Sequence, residues 1–133
     1  MIKDYFEESI SVKKSILDDR NLLSLIDKAI DLLKEVFASG KKAMIAGNGG
    51  SAADAQHMAG EIVGKYKKER KGYPALALNV NTSILTAWSN DYDFKTVFER
   101  QIEAFGRPGD VFIGISTSIH SICEEIEKGF ESN

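Results

Sequence analysis

Three stretches after Gly40 most constrain the fold of this chain: "AMIAGNGGS" from Ala43, "PALALNVNTS" from Pro74 and "DVFIGISTS" from Asp110. Each is a short apolar run that ends in small polar residues. An apolar run without alternation reads as a strand buried on both faces, which is the pattern of a parallel sheet. Helical segments are expected between the runs, over Ser51 to Val63, around Ile84 to Trp88, and over Phe94 to Phe105. The order strand, helix, strand, helix, strand predicts an α/β fold in three layers, a parallel sheet flanked by helices. Ligands of such sheets sit outside the carboxyl ends of the strands. All three ends here carry Ser, Thr, Asn or Gly, so the polar residues are expected to converge on one rim.

The first forty residues follow a different pattern. Ile2, Phe6, Ile10, Ile16 and Leu17 fall at helical spacing among charges. A second helix carries Leu22, Leu25, Ile26, Ala29, Ile30, Leu33 and Phe37, with Asn21 as its expected N-cap and Gly40 at its C-terminal cap. These stripes are wider than one small sheet can cover, which points to a partner subunit. A chain of 133 residues is read as one domain: helices over 1–40, sheet and substrate loops over 41–118, and a closing helix over 119–133. The net charge of -3 gives no basic face for nucleic acid. The lone Cys123 excludes an internal disulfide and falls on an apolar stripe with Ile119, Ile122 and Ile126. "MIKDYFEESI" is acidic where a secretory signal needs an apolar core, and no run is long enough to span a membrane, so a cytoplasmic protein is expected.

The residues that carry chemistry cluster around the strand ends. In "GNGGS" the glycines let backbone amides approach a ligand, and a following helix adds free N–H donors and partial positive charge, the makings of an anion site. The alternative is a tight strand-to-helix turn with Ser51 as N-cap. The turn matches neither the phosphate loop of nucleotide-binding proteins nor the dinucleotide turn, so no nucleotide cofactor is expected. "ISTS" at Ile115 to Ser118 offers hydroxyls and amides suited to phosphate oxygens, or the cap of a turn. His57 and Glu61 are spaced i, i+4 on one helix face and suit metal binding or proton transfer. Glu61 lies among small and apolar residues, "HMAGEIVG", and is expected to be buried against the sheet, where a carboxylate is costly unless paired or used as a base. Asn90 and Asp91 follow the short helix that contains Trp88, and the charge run "KYKKERKG" reads as a solvated helix end and loop.

Taken together, "GNGGSAADAQHMAGEIVGKYKKERKGYPALAL", "SNDYDF" and "GRPGDVFIGISTS" resemble the phosphoheptose isomerases, sugar isomerase (SIS) domain proteins of flavodoxin-like strand order. The resemblance implies an aldose-ketose isomerase that converts sedoheptulose 7-phosphate to glycero-manno-heptose 7-phosphate through an enediol, for heptose precursors of lipopolysaccharide core or related surface glycans. It implies a homo-oligomer, a tetramer as in the family. By matching position it assigns the phosphosugar to Asn48, Gly49, Gly50, Ser51, Asn90, Asp91, Ser116, Thr117 and Ser118, and the acid/base pair to Glu61 and His120. Some members bind zinc, which implies a site at His57, Glu61 and His120 without the family's glutamine. The family continues after its Ser-Thr-Ser turn with further strands and helices, whereas here Ser118 runs straight into Ile119, so a segment of the family domain is expected to be missing at that junction. The rival reading is a non-catalytic SIS-domain protein that binds a phosphosugar or associates with a replication initiator. The presence of Glu61 and His120 weighs against it.

Overall fold

The structure, a computed structural model, describes residues 1–117. Ser118, His120, Cys123, the closing helix and the Ser118–Ile119 junction lie outside the described residues. Two compact units are present, Met1–Glu35 and the part of the chain from Val36 onward.

The first unit is helical. Helix α1 spans Ile2–Asp18, and α2 begins at Arg20 and runs to Ala38, its last residues belonging to the second unit. The expected N-cap at Asn21 is not the one used. The Asp19 carboxylate accepts from the backbone N–H groups of Asn21 and Leu22, both at 3.0 Å, so the single residue between the helices caps the second. At the other end Gly40 adopts φ +72°, the left-handed conformation that ends helices and that glycine reaches without strain. None of the described helices is long and apolar enough to cross a membrane.

The second unit alternates as the apolar runs predict. Strand β1 spans Ala43–Gly47, α3 Gly50–Val63, β2 Ala75–Ala77, α4 Thr82–Asp91, then a 3-10 turn at Phe94–Thr96 leads into α5 at Val97–Phe105, and β3 spans Val111–Ile115. The strands pair in parallel in the order β2-β1-β3, the beginning of a flavodoxin-like order. All five residues of β1 are buried, as expected for a strand covered on both faces. β2 and β3 are only partly buried, because each has one neighbouring strand among the described residues.

The pleat of β1 sorts the layers. Met44 and Ala46 point into a core with Leu78, Val97, Phe98 and Ile102, walled by Leu85, Trp88 and Phe112, so α4 and α5 cover that face. Ala43, Ile45 and Gly47 point the other way, toward α3, whose buried residues Ser51, Ala55 and Ala59 recur every fourth position. Small residues on that stripe let the helix lie close to the sheet. Gln101, buried in α5, donates from Nε2 to the carbonyls of Leu78 and Val97, both at 3.1 Å, and so ties α5 to the end of β2.

Register between β1 and β3 is pinned at their starts. The Asp110 carboxylate, 4% exposed, pairs with the Lys42 ammonium and accepts from the backbone N–H of Lys42 at 3.0 Å and of Arg107 at 2.8 Å. Burial works to raise its pKa, and the hydrogen bonds from Lys42 and Arg107 with the Lys42 charge outweigh it, holding the carboxyl below the usual carboxylate range. The pin sets Gly47 opposite Ile115. The two carboxyl ends, and the polar turns that follow them, are therefore neighbours.

Candidate active site

The site is built around α3. Its first turn starts from Gly49, whose φ of +57° and ψ of -121° lie in a region that only glycine occupies freely. The backbone N–H of Ser51 donates to Asn48 O and that of Ala52 to Gly49 O, at 3.0 and 3.1 Å. The cap is Gly49 rather than Ser51, which sits inside the first turn and is buried. Asn48, Gly49 and Gly50 are exposed, so the turn presents its backbone to solvent at the positive end of the helix. Ser116 and Thr117 follow directly on β3 beside this turn. Of the resemblance-derived phosphate set, Asn48, Gly49, Gly50, Ser51, Ser116 and Thr117 are thus gathered at one rim, and Ser118 lies outside the described residues.

Two residues shape the turn through contacts that the sequence does not show. Asn79, just after β2, accepts from Gly47 N at 3.1 Å through Oδ1 and donates to Gly47 O at 2.6 Å through Nδ2, so one amide satisfies both backbone groups of the last residue of β1. Gly47 itself has no room for a side chain. A Cβ there would lie 2.7 Å from both Cβ and O of Ser51 and 2.8 Å from Ile115 O. Arg70, at the opposite end of α3, is a further residue whose contacts matter and is taken up below. Nothing local marks any of them, since each acts through a contact that only the fold creates.

At the other end of α3, His57 Nε2 and Glu61 Oε1 are 3.5 Å apart, as the i, i+4 spacing predicts. The burial expected for Glu61 is not found: its side chain is 41% exposed and that of His57 77% exposed. The reason is helical phase. Ala59 faces the sheet, and Glu61, two residues later, is turned about 200° around the axis from it. The small neighbours that made Glu61 look buried serve the sheet-facing stripe instead. His57 and Glu61 open onto a cavity of about 480 Å³ also lined by Asp54, Met58, Ile62, Tyr66 and Arg70. Glu61 comes ten positions after Ser51, about 15 Å along the axis.

Asn90 and Asp91 are not in a turn after α4 but within its last turn, where Asn90 Nδ2 donates to Asp91 Oδ1 at 3.2 Å. α4 leaves the carboxyl rim at Thr82, capped by Asn81, whose side chain accepts from Ile84 N at 3.0 Å, so its last residues come at the end away from the rim. Asp91 lines a separate cavity of about 350 Å³, with Trp88, Tyr92 and Arg100 among its walls. Within one chain the structure does not bring Asp91 into the cavity of His57 and Glu61. Among the described residues no group of three or more His, Cys, Asp or Glu stands close enough to hold a metal ion.

The SIS domain family profile matches residues 4–122. The chain is 52% identical over 120 residues to a phosphoheptose isomerase of Aneurinibacillus thermoaerophilus, covering 90% of this chain and 61% of that protein. It is 49% identical over 120 residues to a phosphoheptose isomerase of Clostridium acetobutylicum, with the same coverage. The chain thus spans about three fifths of the length of the curated relatives it matches. The structure superposes on a phosphoheptose isomerase of Neisseria gonorrhoeae with a TM-score of 0.87 at 39% identity, covering 98% of this chain and 67% of that one. A phosphoheptose isomerase of Francisella tularensis gives the same TM-score at 32% identity, covering 98% of this chain and 66% of that one. A match over nearly the whole chain, on a parallel sheet with the turn and helix just described, places this chain in the SIS-domain family, where it is similar to the phosphoheptose isomerases.

Proposed function

We propose that the protein of which this chain is all or part is an aldose-ketose isomerase acting on sedoheptulose 7-phosphate. The observation that carries the reading is the layout of α3: an anion-holding backbone turn at its start, joined by Ser116 and Thr117, and a carboxylate facing a cavity near its end. A sugar whose phosphate lies far along the chain from its carbonyl needs this separation of anchor from base.

In the reaction, the Glu61 carboxylate takes a proton from C1 of the ketose while an acid protonates the C2 carbonyl oxygen, giving the 1,2-enediol. Return of a proton to C2 and loss of the O1 proton yield the aldehyde, with no net gain or loss of atoms. The partner serving the oxygens is expected at His120, outside the described residues. The reaction is tested by incubating the protein with sedoheptulose 7-phosphate in heavy water. Aldose should form with solvent deuterium at C2, and absence of both products would sink the reading.

His57 and Glu61 also suit two corners of a zinc site. Donors bound at about 2.1 Å in a tetrahedron lie about 3.4 Å apart, close to the separation between Nε2 and Oε1. With His120 they would hold the ion, which supplies polarisation of the sugar's carbonyl oxygen when bound. Complete chelation is expected to lower turnover. Full activity in protein shown to be metal-free by elemental analysis would reject a catalytic metal.

Assembly into a homo-oligomer, a tetramer as the resemblance implies, belongs to the same reading. Helix α1 buries none of its residues, and Ile2, Phe6 and Leu17 are each at least two thirds exposed. Apolar faces of this extent mark interfaces. Light scattering at micromolar concentration should give a multiple of the monomer mass, and a monomeric mass would contradict the proposal.

A further inference from the structure

We infer that Arg70 is a positioning residue for Glu61, an inference that rests on the reading of Glu61 as the base. The charge run "KYKKERKG" was expected to be solvated throughout, and Lys65, Lys67, Lys68 and Lys71 are exposed as expected. Arg70 departs from the pattern. Its Nη2 donates to the carbonyl of Glu61 at 2.9 Å, and its Nη1 to the carbonyls of Ile62 at 2.9 Å and Lys71 at 3.0 Å.

The carbonyls of a helix's last turn have no partners within the helix. Here Gly64 N takes Gly60 O at 2.8 Å, Tyr73 N shares Ile62 O at 3.2 Å, and the guanidinium takes the rest of the demand at residues 61 and 62. The loop after α3 therefore folds back over the helix end. Gly72 lies so close that a Cβ there would be 2.6 Å from Val63 O. The face of the guanidinium rests 4.6 Å from the Tyr73 ring centroid, and that ring stacks on Phe37 at 4.9 Å with the planes 9° apart. Arg70 is thus held at its edge by three carbonyls and at its face by an aromatic pair.

One of those carbonyls is that of Glu61 itself, so the cation grips the peptide unit from which the carboxylate hangs. A cation also complements the negative end of the helix. The planar fork reaches two successive carbonyls at once, a geometry that the single ammonium of lysine does not reproduce. Without it the Glu61 carbonyl loses its described partner and Ile62 keeps only the Tyr73 N–H, and a helix end with fewer partners for its last carbonyls frays. Movement of about 1 Å in a catalytic group costs on the order of 100-fold in rate.

The test compares Arg70→Ala, Arg70→Lys and Glu61→Gln with the parent protein. Arg70→Ala should lower kcat about 10- to 100-fold while KM for the phosphosugar stays within about threefold, since the phosphate turn lies at the opposite end of the helix. Arg70→Lys should fall between, and guanidinium ion added to Arg70→Ala should restore part of the rate. The double variant should be no slower than Glu61→Gln alone, because both changes act on one group. Amide hydrogen exchange over residues 61–64 should quicken in Arg70→Ala. A kcat within threefold of the parent, or a loss that adds in full to that of Glu61→Gln, would overturn the inference. If the parent does not isomerise the phosphosugar, the proposed function falls, and unchanged exchange over residues 61–64 in Arg70→Ala would then overturn the positioning role as well.

Discussion

Glu61→Gln is expected to lower the turnover of sedoheptulose 7-phosphate by about 10² to 10⁴, the range associated with a general base. The substitution keeps the size of the side chain and an oxygen acceptor near His57 Nε2, 3.5 Å away in the parent, and removes the negative charge, with it the basicity and the carboxylate proposed as a zinc ligand. Because the side chain is 41% exposed and faces a cavity rather than the sheet, the fold should be unaffected, and the thermal midpoint should stay with that of the parent. KM should change little, since the turn proposed to hold the phosphate lies at the start of α3. Deuterium incorporation at C2 should be lost in step with turnover. Activity within threefold of the parent would remove Glu61 from the role of base while leaving the anion turn in place.

Gly47→Ala carries the second large effect, and it acts on the fold and the phosphate turn together. Contacts of 2.7 Å to Ser51 Cβ and O and 2.8 Å to Ile115 O leave no escape by side-chain rotation, because two of the three atoms are backbone. Either α3 must lift from the end of β1 or the β1–β3 ladder must part at its last rung, where Gly47 pairs with Ile115. Overpacking of this kind costs about 1 to 3 kcal/mol. That corresponds to a fall of roughly 4 to 12 °C in Tm for a domain of this size. Lifting α3 would also part the turn from Ser116 and Thr117, so KM for the phosphosugar should rise. Gly60→Ala is the matched control: a Cβ there meets nothing within 4 Å, and alanine in a helix interior is favoured over glycine by roughly 0.5 to 1 kcal/mol. An unchanged Tm in Gly47→Ala would show that the close approach of helix to strand is not required.

Both predictions turn on residues whose surroundings arise from folding. Glu61 was legible as a candidate because a carboxylate among "HMAGEIVG" is unusual, but its expected burial was wrong. Small residues in a helix show that something approaches closely, and the 3.6-residue period decides which flank is approached. Gly47 was legible only as the first letter of "GNGGS", and the reason it must be glycine lies in Ser51 and Ile115, the latter far away in sequence. Asn90 and Asp91 were expected after α4 and were found in its last turn, since helix ends are set by capping and packing as much as by propensity. Asp19 displaced Asn21 as a cap for a similar reason: the α1–α2 connection is a single residue, and the carboxylate available at that residue takes the free amides.

Local chemistry determined the rest. Three apolar runs with polar ends, separated by helical periods, are enough for a parallel α/β sheet, because strands buried on both faces need apolar residues at every position and crossovers need helices. A glycine turn before a helix is enough to mark a candidate anion site, because its donors are backbone groups that sequence neighbours position. Only the tertiary structure decided which distant groups meet: Asn79 closing the two polar groups of Gly47, Asp110 pinning Lys42 so that the ends of β1 and β3 coincide, and Arg70 gripping the carbonyl of Glu61. Asn, Asp and Arg side chains of this kind are identical in a sequence to the many that point into water. What separates them is a partner brought within hydrogen-bond distance by the packing of the whole chain.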